Sequence, residues 1–266
     1  MKTAAIVYEF PCHSETFVVG QIRGLIELGC DVRIFADNAD TVAVAENESA
    51  QSDLLDRVTY FGLPFKQLRE SVGRWQSRRP ASPDQATTHR PARRLKETAE
   101  AGLRLRIEGR AFGRNSRFDV IHAHFGPNGV RAIRLRKMDV LRGPTLTSFY
   151  GYDVGRHWSR SGYSHLFAEG DSFIALSNHM RTALIALGAP EERTIVHPLG
   201  IHVEQFKPAT QKSGTRFEIL SVARLIPKKG IEYALRAVAE LSRQGIEIHY
   251  IVVGGGPLRE RLESLA

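Results

Sequence analysis

Short apolar runs of strand length alternate along this chain with segments of helical period. That alternation admits few folds other than parallel strands joined by crossover helices. The first unit sets the pattern: a strand over residues 3–10, a loop over 11–13, a helix over 14–28 stopped by Gly29, and a strand over 31–36. Ser14 has the side chain of a helix N-cap, and Gly29 stands where helices commonly end. A short strand at 58–62 follows, strands recur at 118–125, 144–149, 171–176 and 193–197, and helices are expected over 128–138 and 177–187. Ser177 and Gly188 bracket the last of these as cap and stop. After Ile201 the segment HVEQFKPATQKSG loses periodicity, and strand, helix and strand begin afresh at Phe217. The expected fold class is therefore α/β, with a Rossmann-like parallel-sheet domain over 1–207 and the start of a second Rossmann-like domain over 208–266.

At 266 residues and 42% hydrophobic, the chain can bury one large core, or one core plus a fragment of another. Its two cysteines, Cys12 and Cys30, supply neither a disulfide framework nor a metal cluster, which fits a reducing, cytosolic setting. The N-terminal apolar run is broken by Glu9 and Pro11, too early for a signal peptide or a membrane span, and reads as the first strand. The net charge of +8 is concentrated: residues 66–117 hold 14 Lys or Arg against 5 Asp or Glu, a balance of +9 that leaves the remainder near −1. Within it, 78–94 carries Pro80, Pro83 and Pro91 among Ser and Thr and reads as a loop, whereas Leu95, Ala99, Leu103, Ile107 and Ala111 recur every fourth residue as a basic amphipathic helix. Such a helix either packs on the domain with a solvated charged face or meets anionic lipid headgroups. Nucleic acid is disfavoured, because no aromatic residue interleaves with the arginines from Arg78 to Arg110.

The richest chemistry lies over 217–257. The apolar run from Ile219 to Ala223 reads as a buried strand, and Arg224 and Lys229 flank the turn into the next helix, with Lys228 their solvated neighbour. The carboxyl end of a strand beside a helix N-terminus is where open α/β sheets bind phosphate. A second strand, IEIHYIVVG, runs into Gly254, Gly255 and Gly256, which let backbone approach a ligand closely or simply make a tight turn. These glycines do not form Gly-x-Gly-x-x-Gly, and no such turn follows the first strand either, which disfavours a nicotinamide-dependent oxidoreductase.

An ordered set of motifs resembles the retaining glycosyltransferases of family 4, which have the GT-B fold: FPCHSETFVVGQIRGLIELGCDVRIFA, DVIHAHFG, TSFYGYD, ALSNHMRTAL, VHPLGIHVEQFKP, SVARLIPKKG and IVVGGGP. The match covers nearly the whole chain except the basic segment, and its opening is similar to the branch that builds bacterial exopolysaccharides of the colanic-acid type. The resemblance implies transfer of a hexose from a nucleotide diphosphate sugar to a lipid-linked or polysaccharide acceptor, at the inner face of the cell membrane. In that chemistry negative charge develops on the departing diphosphate, and Arg224 and Lys229 match the pair that stabilises it. Fixed cations at the leaving group imply no divalent metal and no cofactor, in keeping with the absence of an Asp-x-Asp motif from the sequence.

The remaining candidates follow from the same resemblance. His122 and His124 share one face of a strand end; they lack an evident third metal ligand, and His124 matches a cleft position near the transferred sugar, whereas His122 reads as a core residue. Where relatives carry a glycine-rich turn, this chain has His13, Ser14, Glu15 and Thr16. Ser14, Glu15 and Thr16 either cap and charge the first helical turn or form a polar rim on the acceptor side that holds the acceptor or the donor phosphates. Tyr150, Gly151 and Asp153 resemble a loop at the same edge, although an Asp after Gly-Tyr is also an ordinary turn residue. The family extends about a hundred residues further, to paired glutamates that hold the donor. The pairs Glu232 with Glu240 and Glu100 with Glu108 imitate that spacing without its surroundings and are rejected. The expectation is thus a C-terminally truncated enzyme, inactive alone, with a non-catalytic half that needs a separate C-terminal chain as the alternative.

Overall fold

The computed structural model describes residues 1–12, 15–39, 53–60, 112, 116–155, 160–201, 203–206 and 217–266. The chain divides into two compact units, Met1–His202 and Val203–Ala266, where the sequence reading placed its break after 207. Most of the basic segment at 66–117, including the helix expected over 95–111, lies outside the described residues, as do His13 and Ser14.

The first unit is built on a parallel sheet. Its strands are β1 (Lys2–Ile6), β2 (Asp31–Ala36), β3 (Val58–Tyr60), β5 (Val120–His124), β7 (Thr145–Ser148), β8 (Ser172–Ala175) and β9 (Thr194–Val196); a separate two-stranded sheet pairs β4 (Ser116–Arg117) with β6 (Leu141–Arg142). The order β3-β2-β1-β5-β7-β8-β9 reverses direction at β1, so a crevice opens beyond the carboxyl ends of β1 and β5. The helices are α1 (Thr16–Glu27), α2 (Gly126–Lys137), α3 (Arg160–Glu169) and α4 (Asn178–Leu187).

Alternation along the strands explains why both sheet faces are covered. Ala5, Val7, Val32, Ile34 and Ala36 pack with Val18, Val19 and Ile22 of α1. Ala4, Ile6, Phe35, Ile121 and Ala123 pack with Ala132 and Leu135 of α2 on the other side. Strands buried on both faces read as nearly continuous apolar runs, which is how the sequence shows them. A third cluster joins Tyr163, Leu166 and Phe167 of α3 to Phe173 and Ala175 of β8 and Leu184 of α4. Ser177 caps α4 by accepting the Met180 N–H at 3.2 Å, and Gly188 closes it in the left-handed conformation at φ 106.

Helices of the first unit differ from the sequence reading. Helix α1 starts at Thr16 with Glu15 at the N-cap position, and no side-chain cap bond forms. Helix α3 was not expected; Gly162 weakens its propensity, and its signal is confined to the i, i+3, i+4 trio Tyr163, Leu166 and Phe167.

The second unit pairs β10 (Phe217–Val222) in parallel with β11 (Ile248–Val253) around α5 (Ile231–Arg243), and ends on the short α6 (Arg259–Glu263). Its small core is Leu225, Ile231 and Leu262. The run at 219–223, expected as a buried strand, instead lies largely in solvent: Phe217, Ile219, Leu220 and Val222 of β10 are exposed, because among the described residues this strand has only β11 beside it and its faces lack further cover. No helix among the described residues is long and apolar enough to cross a membrane.

Candidate functional site

The crevice of the first unit is lined from three strand ends. His122 and His124 lie on the α1 face of β5 with their rings stacked at 4.2 Å, as period-two alternation requires. Both are buried. His122 Nε2 sits 2.8 Å from Ser148 Oγ, and His124 Nδ1 sits 2.8 Å from the Tyr150 hydroxyl. Burial lowers both imidazoles, His122 to about 4 and His124 well below its usual value, the latter helped by the neighbouring His122. Both rings are therefore neutral at physiological pH. His124 Nε2 is buried without a hydrogen-bond partner among the described residues.

Tyr150 is the hub of this group. Its ring lies 4.7 Å from Phe17 of α1 and 4.6 Å from Phe125, and burial pushes its phenol above the usual range, so it stays protonated. Phe125 takes φ 72, a left-handed value that is uncommon for a non-glycine residue and that turns the chain from β5 into α2. Asp153 holds the loop. Fully buried, its carboxylate accepts the Gly126 N–H on one oxygen and the Tyr150 and Gly151 N–H groups on the other, all at 2.9 Å. The side chain that the sequence reading set on the acceptor-side rim thus has both oxygens engaged by backbone.

Glu15 and Thr16 stand at the start of α1, Thr16 exposed and Glu15 partly buried. One Glu15 oxygen is buried without a partner among the described residues, and burial, helped by Glu9, pushes its carboxyl up to about 7. Opposite pH dependences follow. The stability contributed by neutral His122 is complete above pH 6.5 and is lost as pH falls toward 4, a shift worth roughly 3 kcal/mol. The contribution of protonated Glu15 is complete below pH 4.5 and is lost as pH rises through about 7. In wild type the two largely offset each other between pH 7 and 4.5, so the thermal midpoint of Glu15→Gln, which lacks the opposing gain, is expected to fall more steeply than that of wild type over that range. An unchanged profile in that variant would remove Glu15 from this account.

Sequence reasoning missed an ion pair at the same edge. Asp37, directly after β2, accepts from Arg131 of α2 through both oxygens at 2.9 and 3.0 Å, and both residues are buried. In dinucleotide-binding domains an acid near this position takes the ribose; here its carboxylate is bound by an internal cation, and the first unit is poorly suited to that task. Nothing local joins positions 94 apart in sequence, so only the assembled sheet shows the pair.

In the second unit Arg224 follows β10, Lys229 ends the 3-10 turn Pro227–Lys229, and Gly230 leads into α5. Arg224, Lys228 and Lys229 are exposed, and none pairs with a carboxylate among the described residues. By contrast Arg236 and Arg261 share Glu232, Arg243 pairs with Glu240, and Arg259 pairs with Glu263. Among the described residues of this unit, the cations left uncommitted are those at the strand end beside a helix N-terminus, where an anion finds unpaired N–H groups and a favourable dipole. The glycine cluster has an internal reason as well: a Cβ on Gly256 would come within 2.6 Å of the Leu225 carbonyl oxygen, and one on Gly254 would collide with that of Ala223. Leu225 N–H donates to the Gly255 carbonyl at 2.8 Å. The glycines thereby let the loops after β10 and β11 lie against each other, which fixes the turn carrying Arg224.

Comparison with known proteins bears on both units. The description "Glycosyltransferase Family 4" matches residues 14–205, and "Glycosyl transferases group 1" matches residues 202–266. WcaL of Escherichia coli (strain K12), assigned as a colanic acid biosynthesis glycosyltransferase, is 31% identical over 100% of this chain and 67% of its own length. The amylovoran biosynthesis glycosyltransferase AmsK of Erwinia amylovora is 30% identical over 99% of this chain and 67% of its own. Among solved structures, Anabaena HepE in complex with UDP and glucose superposes with a TM-score of 0.61 at 17% identity, covering 100% of this chain and 64% of that one. Sucrose-phosphate synthase from Thermosynechococcus elongatus gives a TM-score of 0.62 at 17% identity, covering 100% and 67%. The chain thus spans about two thirds of the length of these relatives.

Proposed function

This chain belongs to glycosyltransferase family 4, with the Rossmann-like units of the GT-B fold, and from that membership we propose that it serves a retaining transfer of a hexose from a nucleotide diphosphate sugar to a lipid-linked or polysaccharide acceptor. The first unit takes the acceptor side, with His124 beside the transferred sugar and Glu15 and Thr16 on the rim. The second takes the donor diphosphate. The likeness to WcaL and AmsK favours exopolysaccharide synthesis at the inner face of the cell membrane, where the +9 balance of residues 66–117 suits contact with anionic lipid.

The observation that carries the reading is the uncommitted pair Arg224 and Lys229 at the end of β10. As the bond from sugar to diphosphate breaks, charge grows on the leaving phosphate oxygens, and preorganised cations at that place lower the barrier without a metal. Calorimetric titration of UDP into wild type and Arg224→Ala tests it: measurable binding that the variant weakens supports the reading, and equal binding defeats it.

Turnover is a separate matter. Phe217, Leu220, Val222 and Val253 of the two-stranded second unit are exposed, and its strands present apolar surface with no partner strand among the described residues. The 266-residue polypeptide assayed alone is expected to hydrolyse or transfer from UDP-glucose at no more than background rate. Turnover at ordinary enzyme rates, on the order of 1 per second or faster, would refute this. The same exposed strands favour a second reading, a binding half completed by a separate polypeptide, which predicts a stoichiometric partner on co-purification.

A further inference from the structure

Two polar pairs stand side by side at the ends of β5 and β7. His122 Nε2 meets Ser148 Oγ at 2.8 Å, and the Tyr150 phenol meets His124 Nδ1 at 2.8 Å. His124 Nε2 is buried and without a partner among the described residues. The Tyr150 hydroxyl has a single proton, so the direction of its bond to Nδ1 decides which nitrogen of neutral His124 carries the ring proton.

We propose that Tyr150 is a positioning residue that locks His124 in its Nε2–H tautomer, so that the crevice presents one buried hydrogen-bond donor to a sugar hydroxyl. The proposal rests on the reading of His124 as a sugar-facing group. Two arrangements satisfy the geometry. In one, the Tyr150 hydroxyl donates to His124 Nδ1, leaving the proton of His124 on Nε2. In the other, His124 Nδ1–H donates to the Tyr150 oxygen and Nε2 is left bare. Neutral imidazole in an alkyl-substituted side chain intrinsically prefers its proton on Nε2, so the first arrangement gives His124 its preferred form and the second denies it. The lock has mechanical support: the Tyr150 ring is held between Phe17 and Phe125, and its backbone N–H is tied to Asp153 at 2.9 Å. The groups in contact with the His124 ring, His122 and Tyr150, are both neutral, so a change of tautomer rather than of charge is what the surroundings control.

Long-range proton–nitrogen correlation spectra of the 15N-labelled 266-residue chain at pH 7.5 test this without any need for turnover. His124 is expected to show a protonated-type Nε2 shift and an unprotonated-type Nδ1 shift. Tyr150→Phe keeps the ring packing and removes the donor, and is expected to move both nitrogens toward averaged values. A wild-type spectrum with the proton on Nδ1, or averaged already, overturns the proposal even if the variant fails to fold; an unchanged His124 in a folded Tyr150→Phe overturns it too. Adding UDP-glucose, with UDP as control, is expected to shift His124 Nε2 only in the presence of the sugar. A response equal for both ligands would remove the sugar as the donor's partner and with it the sugar-facing reading, while the spectra of the free protein still judge the lock.

Discussion

Arg224→Ala is expected to weaken UDP binding by roughly tenfold to a hundredfold, the loss that follows when hydrogen bonds to a charged group worth about 1.5–3 kcal/mol are removed. Arg224 lies beyond the carboxyl end of β10 and is exposed without an ion-pair partner among the described residues, so its replacement disturbs no internal salt bridge. The loss can then be read as loss of ligand contact. Arg224→Lys keeps the charge but not the planar fork that grips two phosphate oxygens together, and is expected to recover only part of the affinity. Lys229→Ala should cost less than Arg224→Ala, because an ammonium acts as a point charge, and the two losses should not add if both cations hold one diphosphate. In an enzyme of full family length, removal of one such preorganised donor is expected to lower kcat by about 100- to 1,000-fold. Salt offers a check on origin: the difference between wild type and Arg224→Ala should narrow as ionic strength rises. Loss of affinity in Arg236→Ala equal to that in Arg224→Ala would show that general charge, not position, governs binding, since Arg236 is committed to Glu232 on α5.

The parts of this molecule legible in its sequence are those fixed by local rules. Alternating apolar runs gave the strand positions because strands covered on both faces need continuous apolar residues. Ser177 and Gly188 marked the ends of α4 because caps are local hydrogen-bond and backbone requirements. The shared face of His122 and His124 followed from the strand period alone. What escaped was set by tertiary closure. The engagement of His124 by Tyr150 and of His122 by Ser148 each joins residues 26 apart, across the β5–β7 pairing that places Ser148 opposite His124. Asp37 and Arg131 meet only after β2, β1 and α2 have assembled. The glycines after β11 looked like a place for a ligand, and their tight approach to the Ala223 and Leu225 carbonyls became visible only with β10 beside β11. Asp153 is the sharpest case: the same letter serves a turn, a rim or an anchor, and only burial with three backbone donors distinguishes them.

Asp153→Ala is accordingly expected to be the most destabilising change in the crevice, by about 3–6 kcal/mol, since each buried N–H left without an acceptor costs roughly 1–3 kcal/mol. The donors stranded would be Gly126 at the start of α2 and Tyr150 and Gly151 in the following loop, so two elements lose their tie together. Asp153→Asn separates geometry from charge. Its carbonyl oxygen can still serve Tyr150 and Gly151, but its amide would direct a donor at the Gly126 N–H, so a loss of about half is expected. Burial raises the Asp153 carboxyl above its usual value against the pull of its backbone donors, so ionisation contributes no stability of its own; what the side chain contributes is a pair of well-placed acceptors. Urea midpoints at pH 7 with the slope checked for constancy measure all three proteins on one scale. If Asp153→Ala unfolded within 1 kcal/mol of wild type, the loop would be held by something other than this carboxylate. The tie between Asp153 and Tyr150 would then give no reason for Tyr150 to stand rigidly against His124. A large loss in Ala with a smaller one in Asn would instead make the anchoring of that loop the structural condition for every hydrogen bond the crevice can offer a sugar.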